Sequence, residues 1–97
     1  MIRVVAKNFL IPEKTSAAAP FFSELISATR KEEGCIEYRL FINSKVNTEY
    51  VFIEEWISQE ALDKHMNSEH FKRLIPHIKE FCSKEKEVMI LEEFVSK

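Results

Sequence analysis

The chain has 97 residues, enough for one domain and too few for two. A hydrophobic content of 45% beside 31% charged residues is typical of a globular protein and excludes a disordered one. The net charge of -2 at pH 7 and the scattered basic residues exclude the basic surface that nucleic-acid binding requires.

The first two predicted elements are a strand and a helix. Val, Ile and Phe are frequent from Ile2 to Ile11, which predicts a strand that ends at Pro12. Apolar residues at helical spacing then predict a helix from about Ala17 to Glu32. Pro20 is tolerated only in the first turn of a helix, so we expect a late start, and Gly34 is the predicted stop signal.

A hairpin and a helical region follow. Strands are predicted over Cys35–Ile42 and Glu49–Ile57, and the short polar segment between them favours a β-hairpin. Ser58 is a typical N-cap for a short helix that runs to about Met66.

The last two predicted elements are a longer helix and a strand. Ser68 caps a helix to about Ser83, and Pro76 inside that helix predicts a kink or a break near Arg73. The last predicted strand is Glu87–Val95.

The element order predicts the fold class. Strand, helix, strand, strand, helices and strand form the βαββαβ order of a ferredoxin-like α+β fold. We therefore expect a single domain over residues 1–97, with a four-stranded antiparallel sheet and helices on one face.

The strands are apolar on both faces, which predicts a partner. In the third strand, Tyr50, Phe52 and Trp56 point one way, whereas Val51, Ile53 and Ile57 point the other way. Helices cover only one face of such a sheet, and an exposed second face would alternate apolar and polar residues. We therefore expect a homodimer whose two sheets pack face to face and close an α/β barrel.

Other features of the sequence favour a cytoplasmic protein. No apolar run approaches the ~20 residues of a membrane span, and the first residues do not resemble a signal peptide. Cys35 and Cys82 are spaced neither as a redox pair nor as a zinc knuckle, so we expect two reduced, mostly buried thiols.

His65 is the strongest candidate for chemistry. It ends the predicted short helix just before the Asn67-Ser68 break, where the chain turns over the sheet. A histidine at that place faces a pocket between helix and sheet, and its unperturbed pKa of about 6.5 suits proton transfer near neutrality. A structural role for this side chain is the alternative.

Three side chains of the predicted strands are further candidates. Asn8 is disfavoured inside a strand, so it lies near a strand end or makes a required hydrogen bond. Glu54 lies on an apolar face, where it belongs to a site or forms an ion pair with Arg39 or Lys7. Trp56 is either a core residue or a pocket residue, and its indole N–H needs a hydrogen-bond partner.

The other two histidines, His70 and His77, lie two turns apart on the last predicted helix. No carboxylate at metal-ligand spacing accompanies them along the chain, so we expect no metal site. A surface or helix-capping role is the simplest interpretation of both.

Residues 54–71 contain Glu54-Glu55-Trp56, a short predicted helix with Ala61-Leu62, then His65 and Ser68-Glu69-His70-Phe71. A second set of landmarks lies where the first helix joins the second strand: Thr29-Arg30, Glu32-Glu33, Gly34-Cys35 and Tyr38. These segments resemble the antibiotic biosynthesis monooxygenase family, whose signature stretch is Glu-Glu-Trp, a short helix containing Ala-Leu, a His, and then Ser-x-His-Phe. Pro12-Glu13-Lys14 is similar to the family's Pro-Gly-Lys turn, with Glu replacing Gly.

The resemblance implies a ferredoxin-like homodimer in which each subunit has a pocket between helices and sheet. It also implies cofactor-free oxygenation of a small quinol or polyphenol, whose anion reacts with O2 directly. His65 is then the catalytic base. The substrate-binding candidates are Asn8, Tyr38, Phe52, Glu54, Trp56, His70 and Phe71.

Two other activities stay open. Similar proteins include the isomerase of a small phosphorylated sugar-like signal, and a non-catalytic small-molecule-binding dimer shares the same pocket. Haem-degrading relatives share the fold but have Trp at the position of His65, and their axial His falls at the position of Ile75.

Overall fold

The protein is described by a computed structural model that covers residues 1–95. Over this range the elements are β1 (Ile2–Phe9), α1 (Thr15–Thr29), β2 (Cys35–Ile42), β3 (Glu49–Trp56), α2 (Gln59–Met66), α3 (Glu69–Glu80) and β4 (Glu87–Glu92). The strands form one antiparallel sheet in the order β2-β3-β1-β4. The predicted ferredoxin-like α+β fold is confirmed.

The first helix begins earlier than predicted. A short 3-10 helix, Pro12–Lys14, leads directly into α1, so that Pro20 lies in the helix interior rather than in its first turn. Proline has no N–H to donate to the carbonyl four residues earlier, which belongs to Ser16. Ser16 is exposed, so its carbonyl is accessible to solvent and the helix tolerates the proline.

Gly34 has a different role from the predicted one. α1 ends at Thr29, and no residue in 1–95 has a positive φ, so Gly34 is not a left-handed helix cap. A Cβ atom at this position would overlap the side chain of Ala61 in α2 and lie 3.3 Å from Ile57 Cγ1. The Gly34 carbonyl also accepts a hydrogen bond from Ile57 N at 3.0 Å. Glycine is therefore required because the turn after α1 packs directly against α2.

The remaining elements differ little from the predictions. Ser58 and Ser68 cap α2 and α3, each accepting a hydrogen bond from the backbone N–H three residues later. Pro76 lies inside α3, which continues to Glu80 without the predicted break. β4 ends at Glu92, before the predicted end at Val95. Within residues 1–95, no helix is long and apolar enough to cross a membrane.

The two faces of the sheet have different surroundings. The core lies between the helices and one face, and its largest fully buried side chains include Trp56, Leu25 and Leu74. Residues that alternate with the core positions form an apolar patch on the opposite face, which we call the outer face: Val5, Phe41, Val51, Ile53, Met89 and Leu91. Phe41, Met89 and Leu91 of this patch are 43%, 49% and 41% exposed.

Candidate active site

His65 lies in the last turn of α2, and its side chain is almost completely buried, at 2% exposure. Leu62 and His65 are three residues apart, so they share the face of α2 that packs on the sheet. His65 Nδ1 lies 2.7 Å from Oε2 of Glu32, in the turn between α1 and β2. A carboxylate only accepts hydrogen bonds, so Nδ1 carries the proton and Nε2 keeps its lone pair.

Aromatic rings surround the His65 imidazole. The ring centroids of Trp56, Phe71 and Tyr38 lie 4.6, 5.0 and 5.5 Å from that of His65. Burial lowers the pKa of His65 below its ordinary 6.5, although the hydrogen bond that Nδ1 donates to Glu32 opposes this shift. The imidazole is therefore neutral at pH 7, which is the form that accepts a proton.

Glu54 is the second titratable group of this region. It is 5% exposed, and the indole N–H of Trp56 donates a hydrogen bond to its Oε1 at 3.0 Å. The predicted ion pair is wrong, because Arg39 and Lys7 alternate to the opposite face of the sheet. Burial raises the pKa of Glu54 to about 7, so this carboxyl exchanges its proton near neutral pH rather than near pH 4.5.

A cavity of about 290 Å³ lies between the sheet and the two C-terminal helices. Its walls are Val4, Ala6, Glu54, Leu62, His65, Met66, Phe71, Lys86, Val88 and Ile90. The volume is at the lower end of the range for small-molecule sites, ~300–1,000 Å³. The cavity thus offers a mainly apolar space for one small ring, with an imidazole and a carboxyl at its wall.

Asn8 lines a smaller neighbouring cavity of about 160 Å³, and Lys86 borders both cavities. The Asn8 amide lies 3.5 Å from the carbonyls of Ala6 and Tyr50, at the limit of a hydrogen bond. Asn8 is 5% exposed, so its amide is held in the core with spare capacity for a ligand.

The other predicted site residues lie behind or beside the cavity. Tyr38 and Phe52 are buried with ring centroids 4.9 Å apart, and neither lines either cavity. The Tyr38 ring also meets Trp56 edge-on, at 6.4 Å between centroids. His70 Nε2 lies 2.7 Å from Glu32 Oε2, the same carboxylate oxygen that His65 contacts. His77 is exposed on α3 and stacks on Phe21 at 5.1 Å.

Two residues of the site, Glu32 and Lys86, were not among the candidates from the sequence. Glu32 lies in a charged run beside Glu33, and Lys86 in a charged run after α3, so their composition is that of exposed loops. Only the resemblance to the family marked Glu32, as a landmark without a role. No periodic pattern connects either residue to His65, because the fold alone brings them together.

The Glu54→Gln variant is expected to gain stability relative to wild type as the pH rises. Above pH 4.5 the unfolded chain releases this proton, whereas the folded chain keeps it until about pH 7. The free energy of unfolding of the wild type therefore falls as the pH rises. The shift of the Glu54 pKa from 4.5 to about 7 corresponds to about 3 kcal/mol. Urea unfolding at pH 4.5 and pH 8 should show the gain in Glu54→Gln and not in Glu55→Gln, which alters the opposite face of the sheet.

Comparison with known proteins places this geometry in a family. The sequence pattern named "Antibiotic biosynthesis monooxygenase" matches residues 1–76. "Putative monooxygenase Rv0793" of Mycobacterium tuberculosis is 30% identical over 90 residues, which are 93% of this chain and 88% of that protein. A Synechocystis protein is 27% identical over 88 residues, which are 90% of this chain, and the match spans only 60% of the relative's length.

Solved structures with the same fold support this family assignment. A crystal structure named as an antibiotic biosynthesis monooxygenase superposes with a TM-score of 0.95 at 37% identity, covering 98% of this chain and 100% of that one. A conserved protein of Methanosarcina mazei gives a TM-score of 0.94 at 39% identity, covering 96% and 92%. With most of its length matched by the family's sequence pattern, this chain belongs to the antibiotic biosynthesis monooxygenase family.

Proposed function

We propose that the protein is a cofactor-independent monooxygenase that acts on a small quinol or polyphenol. The observation that carries this proposal is the Glu32–His65 pair, whose neutral imidazole lines a mainly apolar cavity. An apolar cavity favours an aromatic ring, and a buried neutral imidazole favours removal of a phenolic proton.

The first step is a proton transfer to His65. The substrate hydroxyl gives its proton to Nε2, because Nδ1 is engaged with Glu32 at 2.7 Å. The imidazolium that forms is stabilised by the Glu32 carboxylate, and the same hydrogen bond holds the ring in its tautomer. The product of this step is a phenolate held among mainly apolar walls.

The second step is the reaction of that anion with oxygen. The anion supplies the electrons, one oxygen atom of O2 forms a bond to the ring carbon, and the other leaves as water. The overall reaction is quinol plus O2 to hydroxyquinone plus water, which balances without a cofactor. Cleavage of the O–O bond needs a proton donor, and Glu54 supplies one because its pKa is raised to about 7.

Oxygen uptake with 18O2 tests the proposal on a panel of small quinols. The expected result is one O2 consumed per quinol, one labelled atom in the hydroxyquinone and no hydrogen peroxide. The His77→Ala variant alters an exposed histidine that lines neither cavity, so it should retain the wild-type rate of oxygen uptake. Absence of uptake above the protein-free rate, or peroxide without ring label, would contradict the proposal.

We further propose that the protein acts as a homodimer through its outer face. The patch joins apolar residues of all four strands, and Phe41, Met89 and Leu91 remain more than two fifths exposed in one chain. Side chains of this size each contribute about 1.5–3 kcal/mol when they are fully buried. A second copy of the chain presents the same patch, so a two-fold arrangement buries both.

One observation favours a second activity, the isomerisation of a small phosphorylated sugar-like molecule. Lys79, Lys84 and Lys86 line the smaller cavity beside Asn8, and lysine is a common phosphate ligand. Such an isomerase would exchange a hydrogen next to the substrate carbonyl. NMR of a phosphorylated ketose in D2O distinguishes the two activities, because exchange without oxygen uptake indicates isomerisation.

A further inference from the structure

The position of Glu32 brings three metal-ligand side chains together. Its Oε2 atom lies 2.7 Å from His65 Nδ1 and 2.7 Å from His70 Nε2. The three donor atoms all lie within 4.8 Å of one another. Two imidazole nitrogens and one carboxylate oxygen form a familiar zinc ligand set, in which water completes the shell. We infer that Glu32, His65 and His70 bind a divalent transition-metal cation such as Zn²⁺.

The donor spacing is close to that of a tetrahedral site. Zinc bonds of about 2.1 Å place neighbouring ligand atoms about 3.4 Å apart. Each Glu32–histidine distance of 2.7 Å must therefore lengthen by less than an ångström, while the two imidazole nitrogens, which lie within 4.8 Å of each other, must approach. Glu32 and His70 have side chains that are 18% and 17% exposed, whereas His65 is 2% exposed. The first two therefore have room to rotate, and His65 is the fixed ligand.

Three different elements hold the ligands in place. Glu32 lies in the turn after α1, His65 in the last turn of α2 and His70 in the first turn of α3. Ser68, between the two helices, donates a hydrogen bond to the His65 carbonyl at 2.6 Å and lies 3.2 Å from His70 Nε2. The donor set is thus assembled by folding, which lowers the ordering cost of binding a cation.

A separate cleft offers an entry path for the cation. Glu32 also lines a space of about 300 Å³ with Glu33, Glu60 and Lys64. This space is separate from the 290 Å³ cavity that His65 lines. Carboxylates at such a mouth raise the local concentration of cations. The nitrogen-rich donor set selects Zn²⁺, Co²⁺ or Ni²⁺ over Mg²⁺ and Ca²⁺, which prefer oxygen ligands.

Binding at this cluster is expected to inhibit the oxygenase. The cation replaces the proton on His65 Nδ1 and takes the Glu32 oxygen that accepts its hydrogen bond. A neutral imidazole bound through Nδ1 carries its proton on Nε2, which then no longer accepts a proton from substrate. This consequence rests on the proposed function, whereas the binding itself does not.

Titration of the metal-free protein with Co²⁺, followed by visible absorption, tests the binding directly. The expected result is saturation at one Co²⁺ per chain, displacement by Zn²⁺ and no displacement by Mg²⁺. Loss of a residue that only hydrogen-bonds to a metal ligand typically lowers metal affinity about 10- to 100-fold. His70→Ala removes a ligand itself, so it should weaken binding about 100-fold or more. His77→Ala is the matched control on the same helix and should bind as wild type does.

Two results would overturn the inference: no saturable binding below millimolar Co²⁺ and Zn²⁺, or equal affinity in His70→Ala and wild type. If His70→Ala fails to fold, His70→Gln replaces it, and imidazole 15N spectra of the wild type give an independent readout. Zn²⁺ should then shift the nitrogens of His65 and His70 and leave those of His77 in place. Neither measurement uses a quinol, so a failure of the oxygenase proposal is distinguishable from a failure of metal binding.

Discussion

Replacing His65 with glutamine is expected to lower kcat/KM for quinol oxygenation by about 100- to 10,000-fold, the usual contribution of a general base. Glutamine is polar and of similar length, so it fills the space between Trp56 and Phe71 but accepts no proton near neutral pH. The measurement is initial oxygen uptake at pH 7.5, with the substrate that the wild-type protein oxidises fastest.

The control for that experiment is His77→Gln, which makes the same chemical change on an exposed surface of α3. Raising the pH should recover part of the lost rate in His65→Gln, because a substrate that ionises in solution no longer needs the base. A rate within threefold of wild type at pH 7.5 would show that His65 is not the base.

The second large effect is expected on assembly. Val5→Asp should convert the proposed homodimer into monomers, because Val5 pairs with Ile53 and Met89 in the middle of the outer face, where no cationic side chain stands directly opposite it. The two-fold axis places two new carboxylates in one interface. An unpaired charge that is buried there costs several kcal/mol, which raises the dimer dissociation constant about 1,000-fold or more.

Sedimentation velocity at micromolar concentration measures this change. Val46→Asp is the matched control, since Val46 is an exposed apolar residue, at 49%, in the turn between β2 and β3 rather than on the outer face. A wild-type protein that sediments as a monomer at this concentration would contradict the dimer, as would a dimer that persists in Val5→Asp.

The strands and the caps were predictable because their signals are local. The predicted strands contain the observed ones, and β2 has identical bounds, because apolar runs and turn residues delimit each strand. Ser58 and Ser68 were identified as caps because a cap depends only on the residues next to it. The predicted start of α1 was wrong because we assumed that Pro20 cannot lie inside a helix. The carbonyl left without a backbone donor belongs to Ser16, which is exposed, so the helix tolerates the proline.

The candidate site was predictable only in part, for a physical reason. His65 and Glu54 carry local signals, a polar residue at a helix end and a carboxylate on an apolar face. The partner of His65 is Glu32, which is 33 residues away along the chain, and its neighbours give it the composition of an exposed turn. Hydrogen bonds between distant segments depend on how helices pack, and no spacing rule within one segment contains that information.

The contact between Gly34 and Ala61 has a consequence for the evolution of the site. Because Gly34 has no side chain, the segment that carries Glu32 lies directly against the helix that carries His65. The Glu32 carboxylate and the His65 imidazole are therefore aligned by the fold itself, without a bound ligand. In relatives with a residue larger than glycine at the position of Gly34, we expect glycine at the position of Ala61. Otherwise we expect the histidine at the position of His65 to bond to a different carboxylate.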